Sequence, residues 1–130
     1  MITKKANNIV RIPTSKNGKF FNYWFEFLKP FHKLTNRELD VIAGLVKYRY
    51  ELSKVIKDDK ILDKVTMSED TKEKVRVECD LSKPYFQVIM TKLRQNNLII
   101  DDKINPRFIP NVKEEDGYFQ LLLLFDFNEH

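Results

Sequence analysis

The feature that most constrains the fold is a helix with clear start and stop signals between residues 82 and 97. Ser82 is a preferred N-cap residue, and Pro84 fits the first turn, where its missing N–H costs nothing. Asn97 stands where a left-handed residue often ends a helix. The pattern predicts a helix that packs through one face and leaves the opposite face available. The apolar face is formed by Phe86, Ile89, Met90 and Leu93.

Two further helices are predicted before this one. Thr35 and Glu38 form a capping box, and an apolar stripe indicates a helix from about 36 to 57. Ser68 caps the next helix, and residues 58–66 are interpreted as a connector with a short apolar segment. The residues stacked on one face of this second helix are Thr71, Val75 and Cys79, and we interpret Cys79 as a small core residue.

The N-terminal part of the chain combines a strand pattern with an aromatic run. Residues 9–13 alternate like a short strand, and Asn17-Gly18 is a strong turn signal. The run KFFNYWFEFLKPF at 19–31 fits either a helix or a strand. We favour the helix, ended by Pro30, because a strand would carry large apolar groups on both faces. Its aromatic rings could stack on single-stranded bases, but core packing is the favoured interpretation.

Strands are also predicted after residue 97. Residues 98–100 read as a strand, residues 101–103 as a turn, and residues 104–110 as a returning segment broken by two prolines. Residues 118–127, YFQLLLLFDF, are expected to form the best-buried strand.

The bulk properties limit the classes of function. A length of 130 residues with 42% hydrophobic residues suits one domain with one core. The longest apolar run is far below the roughly 18 residues that cross a bilayer, so we expect no membrane partner. The N-terminus lacks the apolar region of a secretory signal, which predicts a location in the cytoplasm or in a particle assembled inside a cell. Charge is uneven, because residues 1–33 carry a net +6 and residues 111–130 a net −4.

Enzymatic chemistry is not expected. One cysteine excludes a disulfide within the chain and a cysteine-based zinc site, and two histidines leave little for metal binding or acid-base catalysis. His32 is interpreted as structural. The acidic pairs lie in predicted turns, and no glycine-rich phosphate loop occurs. We therefore predict no catalytic residues, no metal and no cofactor.

The order helix, short helix, four-residue turn, helix and β-hairpin resembles the winged helix-turn-helix family. The closest match is residues 68–99, where a small residue, Ser82, is followed by apolar residues four, seven and eleven positions later, and Asn97 opens an exit of the family's type. The resemblance covers about 35–110. It implies an α+β fold with a core of three helices and a β-hairpin wing, to which we add an N-terminal aromatic helix and a C-terminal strand. We divide the chain into a basic arm with the aromatic helix (1–34) and a winged-helix domain (35–130), within one compact domain overall.

The resemblance implies that the helix after Ser82 reads double-stranded DNA in the major groove. On this interpretation Gln87 bonds adenine, and Val88 or Thr91 touches a thymine methyl group. Basic side chains meet phosphates, and the wing reaches the backbone or the minor groove. The candidate DNA-binding residues are Lys83, Tyr85, Gln87, Val88, Thr91, Lys92, Arg94, Lys103 and Arg107.

An alternative is open at this stage. An exposed Val88 beside Tyr85 is a natural protein contact, and Asp101 and Asp102 at the wing tip would repel phosphates. The ends of the chain are similar to small proteins encoded by tailed bacteriophages. The chain is then either a DNA-binding protein that regulates or organises DNA in a phage or bacterium, or an assembly component of a phage particle. We expect a homodimer or higher oligomer, with other virion or transcription proteins as further partners.

Overall fold

The computed structural model describes residues 9–16, 18–113 and 115–128. Within them the chain is a mainly helical α+β structure with a two-stranded antiparallel sheet. The elements in order are α1 (Phe20–Phe27), α2 (Lys29–His32), α3 (Asn36–Ser53), α4 (Asp59–Thr66), α5 (Glu69–Glu78), α6 (Lys83–Gln95), β1 (Ile99–Ile100), β2 (Lys103–Ile104) and a 3-10 turn (Pro106–Phe108). In this part of the chain, no helix has the length and apolar character needed to cross a bilayer.

Helix α3 is the centre of the fold. It begins with the predicted capping box, in which the Glu38 N–H donates to Thr35 Oγ1 at 3.4 Å and the Thr35 N–H donates to Glu38 Oε1 at 3.1 Å. Helices α1, α4, α5 and α6 all pack against it. The helix ends at Ser53 rather than at residue 57, because a turn at residues 54 and 55 separates Ile56 from the stripe. The buried residues of α3 are Leu39, Val41, Ile42, Ala43, Leu45 and Val46.

The aromatic run is helical, as the favoured interpretation predicted. Phe21 and Phe25 of α1 are fully buried, and the Trp24 indole N–H donates to the Phe108 carbonyl at 2.8 Å. Pro30 does not end this helix, because α1 stops at Phe27 and the proline lies in the first turn of α2. Through these buried rings, α1 packs into the hydrophobic core.

The predicted connector is helix α4, so that prediction is wrong. Asp58 caps the helix, with its Oδ1 accepting from the Ile61 N–H at 3.0 Å. Leu62 is buried, and an Arg49–Asp63 ion pair of 3.0 Å links α3 to α4. A helix of this length has too few apolar residues to show the helical periodicity in its sequence. It is stabilised by packing on α3 and β2.

The approach of α5 to α3 depends on a small residue. A Cβ at Gly44 would lie 3.1 Å from Val75 Cγ1, so glycine allows the two helices to meet closely. Val75 and Thr71 are buried, as predicted. Cys79, at the end of α5, is half-buried against the core cluster. The Tyr48 hydroxyl donates to the Glu78 carboxylate, which raises the pKa of Tyr48 to about 12.

The predicted hairpin is present and short. Ile99 pairs with Ile104 and Ile100 with Lys103. Asp101 and Asp102 both have left-handed backbones, with φ of 52° and 57°, which is the geometry of a type I′ turn. The Asn97 residue that ends α6 is left-handed too, with φ of 62°, as expected for a helix stop.

The strands predicted at residues 9–13 and 118–127 do not form. Both segments lack regular structure, and residues 118–127, expected to be the best-buried strand, are largely exposed. A strand needs a hydrogen-bonded neighbour, and within the described residues no backbone–backbone hydrogen bond involves either segment. Asn17 of the predicted turn and residues 1–8 of the basic arm lie outside the described part of the chain.

His32 is a buried structural residue at the start of the turn into α3. Its Nδ1 accepts from the Leu34 N–H at 3.0 Å, so the proton is on Nε2, which donates to the Phe25 carbonyl at 2.6 Å. Burial lowers the pKa of His32, and the charge of Lys29 adds to this effect. The folded protein therefore holds the ring neutral at a pH where the unfolded chain binds a proton.

This histidine predicts a loss of stability in mild acid. The folded pKa is below the unfolded value, so the contribution is complete above about pH 6.5 and is lost progressively as the pH falls from that value to the lowered folded pKa. The loss is at most about 1.4 kcal/mol per pH unit for a single group. Urea unfolding at several values of pH between 7.5 and 5 measures it. The non-titrating His32→Gln variant should show a flatter pH dependence, and equal slopes for the two proteins would contradict this role.

The hairpin turn predicts a stabilising substitution. Left-handed backbone is costly for most L-residues, and Asn-Gly is the preferred type I′ pair. Asp101→Asn with Asp102→Gly should therefore raise the free energy of unfolding by about 0.5–1 kcal/mol. Chemical denaturation checks it, with Asp101→Asn and Asp102→Asn as the control that removes the same charges. A less stable Asn-Gly variant would contradict the turn geometry.

Candidate nucleic-acid interface

Helices α5 and α6 are joined by a four-residue turn, 79–82, that is held by a side chain. Asp80 in this turn is left-handed, with φ of 55°. The Arg76 guanidinium donates from Nη1 to the Leu81 carbonyl at 2.7 Å. Ser82 then caps α6, as predicted, with its Oγ accepting from the Tyr85 N–H at 3.3 Å. These bonds fix the direction in which α6 leaves the turn.

The predicted apolar face of α6 is confirmed. Phe86, Ile89, Met90 and Leu93 are each at most 3% exposed. At 3.6 residues per turn, the line directly opposite runs through Val88, Thr91 and Gln95, all exposed. One edge of this outer face carries Lys83, Gln87 and Arg94, and the other edge carries Lys92 and Tyr85. The outer face of α6 therefore has a weakly polar centre between two edges that carry basic residues.

All nine candidate residues fall within the described part of the chain. The seven on α6 are exposed, with Val88 at 54% and Tyr85 at 44%. Lys103 is half-buried in β2, and Arg107 is exposed in the 3-10 turn. The hairpin meets α6 through β1. The structure therefore gathers seven of the candidates on one surface and places the other two on the adjoining hairpin and the turn after it.

Polar groups at the centre of this face have defined roles. The Thr91 hydroxyl donates to the Gln87 carbonyl at 3.0 Å. Its proton is thus used within the helix, and its oxygen remains as an acceptor. Helix α6 contains no carboxylate, so within its own sequence the charge is entirely positive.

A groove of mixed charge beside α6 was missed by the sequence analysis. It lies between α5 and α6, and its charged lining consists of the carboxylates of Glu69, Asp70 and Glu73 and the basic groups of Lys72, Arg76 and Lys83. Glu73 receives two hydrogen bonds from Arg76, which lower the pKa of Glu73, and the charge of Lys83 lowers it further. The positive charge of Lys83 is therefore partly neutralised by the Glu73 carboxylate. The acidic residues are ten or more positions before Lys83, so no local pattern could reveal the contact.

The thiol of Cys79 lies outside the outer face of α6 and is half-buried. Burial raises the pKa of the Cys79 thiol, which keeps it protonated and a poor nucleophile. Within residues 9–16, 18–113 and 115–128, no group of three or more His, Cys, Asp or Glu side chains could hold a metal ion.

Comparison of the chain with protein-family models, with curated proteins and with solved structures found no match.

Proposed function

We propose that the protein is a non-enzymatic DNA-binding protein whose residues 36–104 act as a winged helix-turn-helix. Helix α6 is the recognition helix in this proposal, and the β1–β2 hairpin is the wing. The observation that carries it is the outer face of α6, where basic side chains border a centre of Val88, Thr91 and Gln95. Regulation or organisation of DNA in a phage or bacterium is the setting we infer.

The chemistry of this face supports major-groove binding. A helix in that groove presents its central side chains to base edges and its flanking ones to the phosphates on either side. Lys83 and Arg94 on one edge and Lys92 on the other fit the flanking positions. Gln87 matches the donor and acceptor pair of adenine, and Val88 and the Thr91 methyl group match thymine. Helix α6 itself contributes no carboxylate that would repel phosphate.

The charges around α6 indicate which of its basic residues contribute most to phosphate binding in this proposal. The charge of Lys83 interacts with the Glu73 carboxylate in the groove, so the attraction of Lys83 for phosphate is weakened. Lys92 and Arg94 lie further along the helix and do not line that groove. We therefore assign most of the phosphate binding to Lys92 and Arg94.

Charge reversal tests the proposal directly. Replacing Lys83, Lys92 and Arg94 by Glu should abolish binding to a mixed-sequence duplex at physiological salt. For every phosphate that the protein no longer neutralises, the slope of log K against log salt should become shallower by about 0.9. Fluorescence anisotropy at several salt concentrations measures both quantities. Among single variants, Lys83→Glu should weaken binding least.

A matched control carries a comparable change in charge elsewhere. Lys57 and Lys60 are exposed and lie outside α5, α6 and the hairpin. The double variant Lys57→Glu with Lys60→Glu is therefore compared with Lys92→Glu with Arg94→Glu, which changes the net charge equally. The α6 pair should weaken binding at least about tenfold more than the control pair, because it removes two phosphate-binding groups. Equal effects of the two pairs, or no binding by the unaltered protein, would overturn the proposal.

Removing two carboxylates from the groove between α5 and α6 should strengthen DNA binding. Glu69→Gln with Asp70→Asn takes two negative charges from beside α6, and affinity should rise roughly twofold to fivefold at low salt, as expected for two screened repulsions. The same change weakens the start of α5 by about 0.3–1 kcal/mol per residue, because acidic side chains stabilise a helix N-terminus. Melting curves control for that effect. Unchanged or weaker binding by a folded variant would mean that DNA does not approach this side of α6.

A second candidate is an assembly role through protein contacts, as in a phage particle. The observation that favours it is the exposure of Val88 and Tyr85 on the same surface. In that role Val88→Ser with Tyr85→Ser would release a protein partner, and the interaction would change little with salt. Binding that falls steeply with salt distinguishes DNA from this alternative.

A further inference from the structure

The segment 119–127 combines an anchored start with an exposed apolar continuation. The Phe119 ring packs edge-on against Phe20 and Trp24, with centroid distances of 5.2 and 5.5 Å. Beyond it, alternate side chains become steadily more exposed. Exposure is 39% at Leu121, 51% at Leu123, 79% at Phe125 and 92% at Phe127. The segment thus leaves the surface of α1 progressively while keeping one entirely apolar face.

The backbone of the segment 119–127 also lacks hydrogen-bonded partners within the described residues. Within the described residues, no backbone–backbone hydrogen bond involves residues 117–128. An extended apolar segment with unpaired N–H and C=O groups is a site for pairing with another strand. Large aliphatic and aromatic side chains exposed together are also unfavourable in water. The segment therefore needs a partner that supplies both a strand edge and an apolar cover.

The segment 9–13 has the matching properties. Ile9, Val10 and Ile12 are 70%, 85% and 40% exposed. Two of them flank Arg11, and β-branched residues favour extended pairing. In the described part of the chain, this segment also makes no backbone–backbone hydrogen bond. It offers a short strand edge with apolar side chains.

A hydrogen bond links the chain just after the segment 9–13 to the chain just before the segment 119–127. The Lys16 ammonium, shortly after the segment 9–13, donates to the Lys113 carbonyl, shortly before the segment 119–127. Phe20, at the start of α1, receives the Phe119 ring. Within the described residues, no backbone–backbone hydrogen bond joins the two segments of one chain.

Charge selects the pairing between copies. The segment 9–13 and the residues that follow it to Lys19 carry Arg11, Lys16 and Lys19 and no acidic residue. The segment 119–127 and the residues just before it carry Glu115, Asp116 and Asp126 and, from residue 115 onward, no lysine or arginine. Contact between two 119–127 segments would bring like charges together, whereas contact with segment 9–13 brings opposite charges together.

We propose that two copies of this chain form a two-fold dimer by exchange, in which the segment 119–127 of each copy pairs with the segment 9–13 of the other. Exchange forms two equivalent junctions and covers both apolar segments. It closes the assembly at two subunits, whereas a one-way contact of the same kind would extend into a ring or a filament. The dimer does not depend on DNA binding, because neither segment belongs to α5, α6 or the hairpin.

Mass in solution is the first test. The full chain should give twice the monomer mass in light scattering after size exclusion. The measurement covers protein concentrations from about 1 to 100 μM, a range that brackets ordinary dimer affinities. Leu123→Asp with Phe125→Asp should give a monomer, and so should Val10→Asp with Ile12→Asp. The control is Val55→Asp with Ile61→Asp, which places the same charges at exposed apolar positions on other elements and should remain a dimer. A monomeric unaltered chain, or masses larger than a dimer, would overturn the proposal.

Mixing the two defective chains tests the pairing itself. A chain with an altered segment 119–127 still has an intact segment 9–13, and the reverse holds for the other variant. An equimolar mixture should therefore form a 1:1 dimer with one working junction, although neither variant dimerises alone. If the Val10→Asp, Ile12→Asp chain dimerised by itself, the two 119–127 segments would be pairing with each other and the exchange would be wrong. Salt-dependent DNA binding by the monomeric variants, weaker than that of the dimer because one α6 acts alone, would leave the proposed function standing.

Discussion

The burial of α3 on nearly all sides is the constraint on which the rest of the structure depends. Four other helices pack around it, so each of them needs to bury only one face. Helix α6 meets this need with Phe86, Ile89, Met90 and Leu93, and its remaining surface is free of any packing role. The close approach at Gly44 brings α5 against the same helix, and Arg76 then fixes the turn that leads into α6. The position of the outer face of α6 is thus determined by contacts made behind it.

The charges on that face cannot be judged from α6 alone. The helix carries only positive charge, but Lys83 shares a groove with three carboxylates and two basic residues of α5, and its charge interacts with Glu73 there. The attractive part of the surface is therefore shifted toward Lys92 and Arg94, near the end of the helix. The two aspartates at the hairpin tip add negative charge beyond it. A phosphate backbone would approach most favourably between these two groups of carboxylates, over the second half of α6.

The parts of the fold that were predictable are those with local signals. Ser68, Ser82 and Asn97 each act within a few residues of their own position, and each has the predicted role. The prediction of a buried strand at 118–127 was wrong, because the apolar composition of a segment favours its burial but does not show which surface covers it. Strand pairing is a non-local interaction, and the described chain supplies no strand for it. The mixed-charge groove between α5 and α6 could not be predicted for the same reason, since it joins residues that are distant in sequence.

The two proposed surfaces lie on different parts of the molecule, and this separation has a physical consequence. One α6 helix offers three basic side chains, one of them partly neutralised, which is a small number for stable DNA binding at physiological salt. A dimer joined through the segments 9–13 and 119–127 would hold two α6 helices in one assembly. The second helix would then bind at a high effective concentration once the first is bound, which increases affinity without any new contact. The two helices would fit successive major grooves of one duplex only if their separation were near one helical turn of DNA, about 34 Å. The geometry of the exchanged segments would therefore determine which DNA the protein could bind as a dimer.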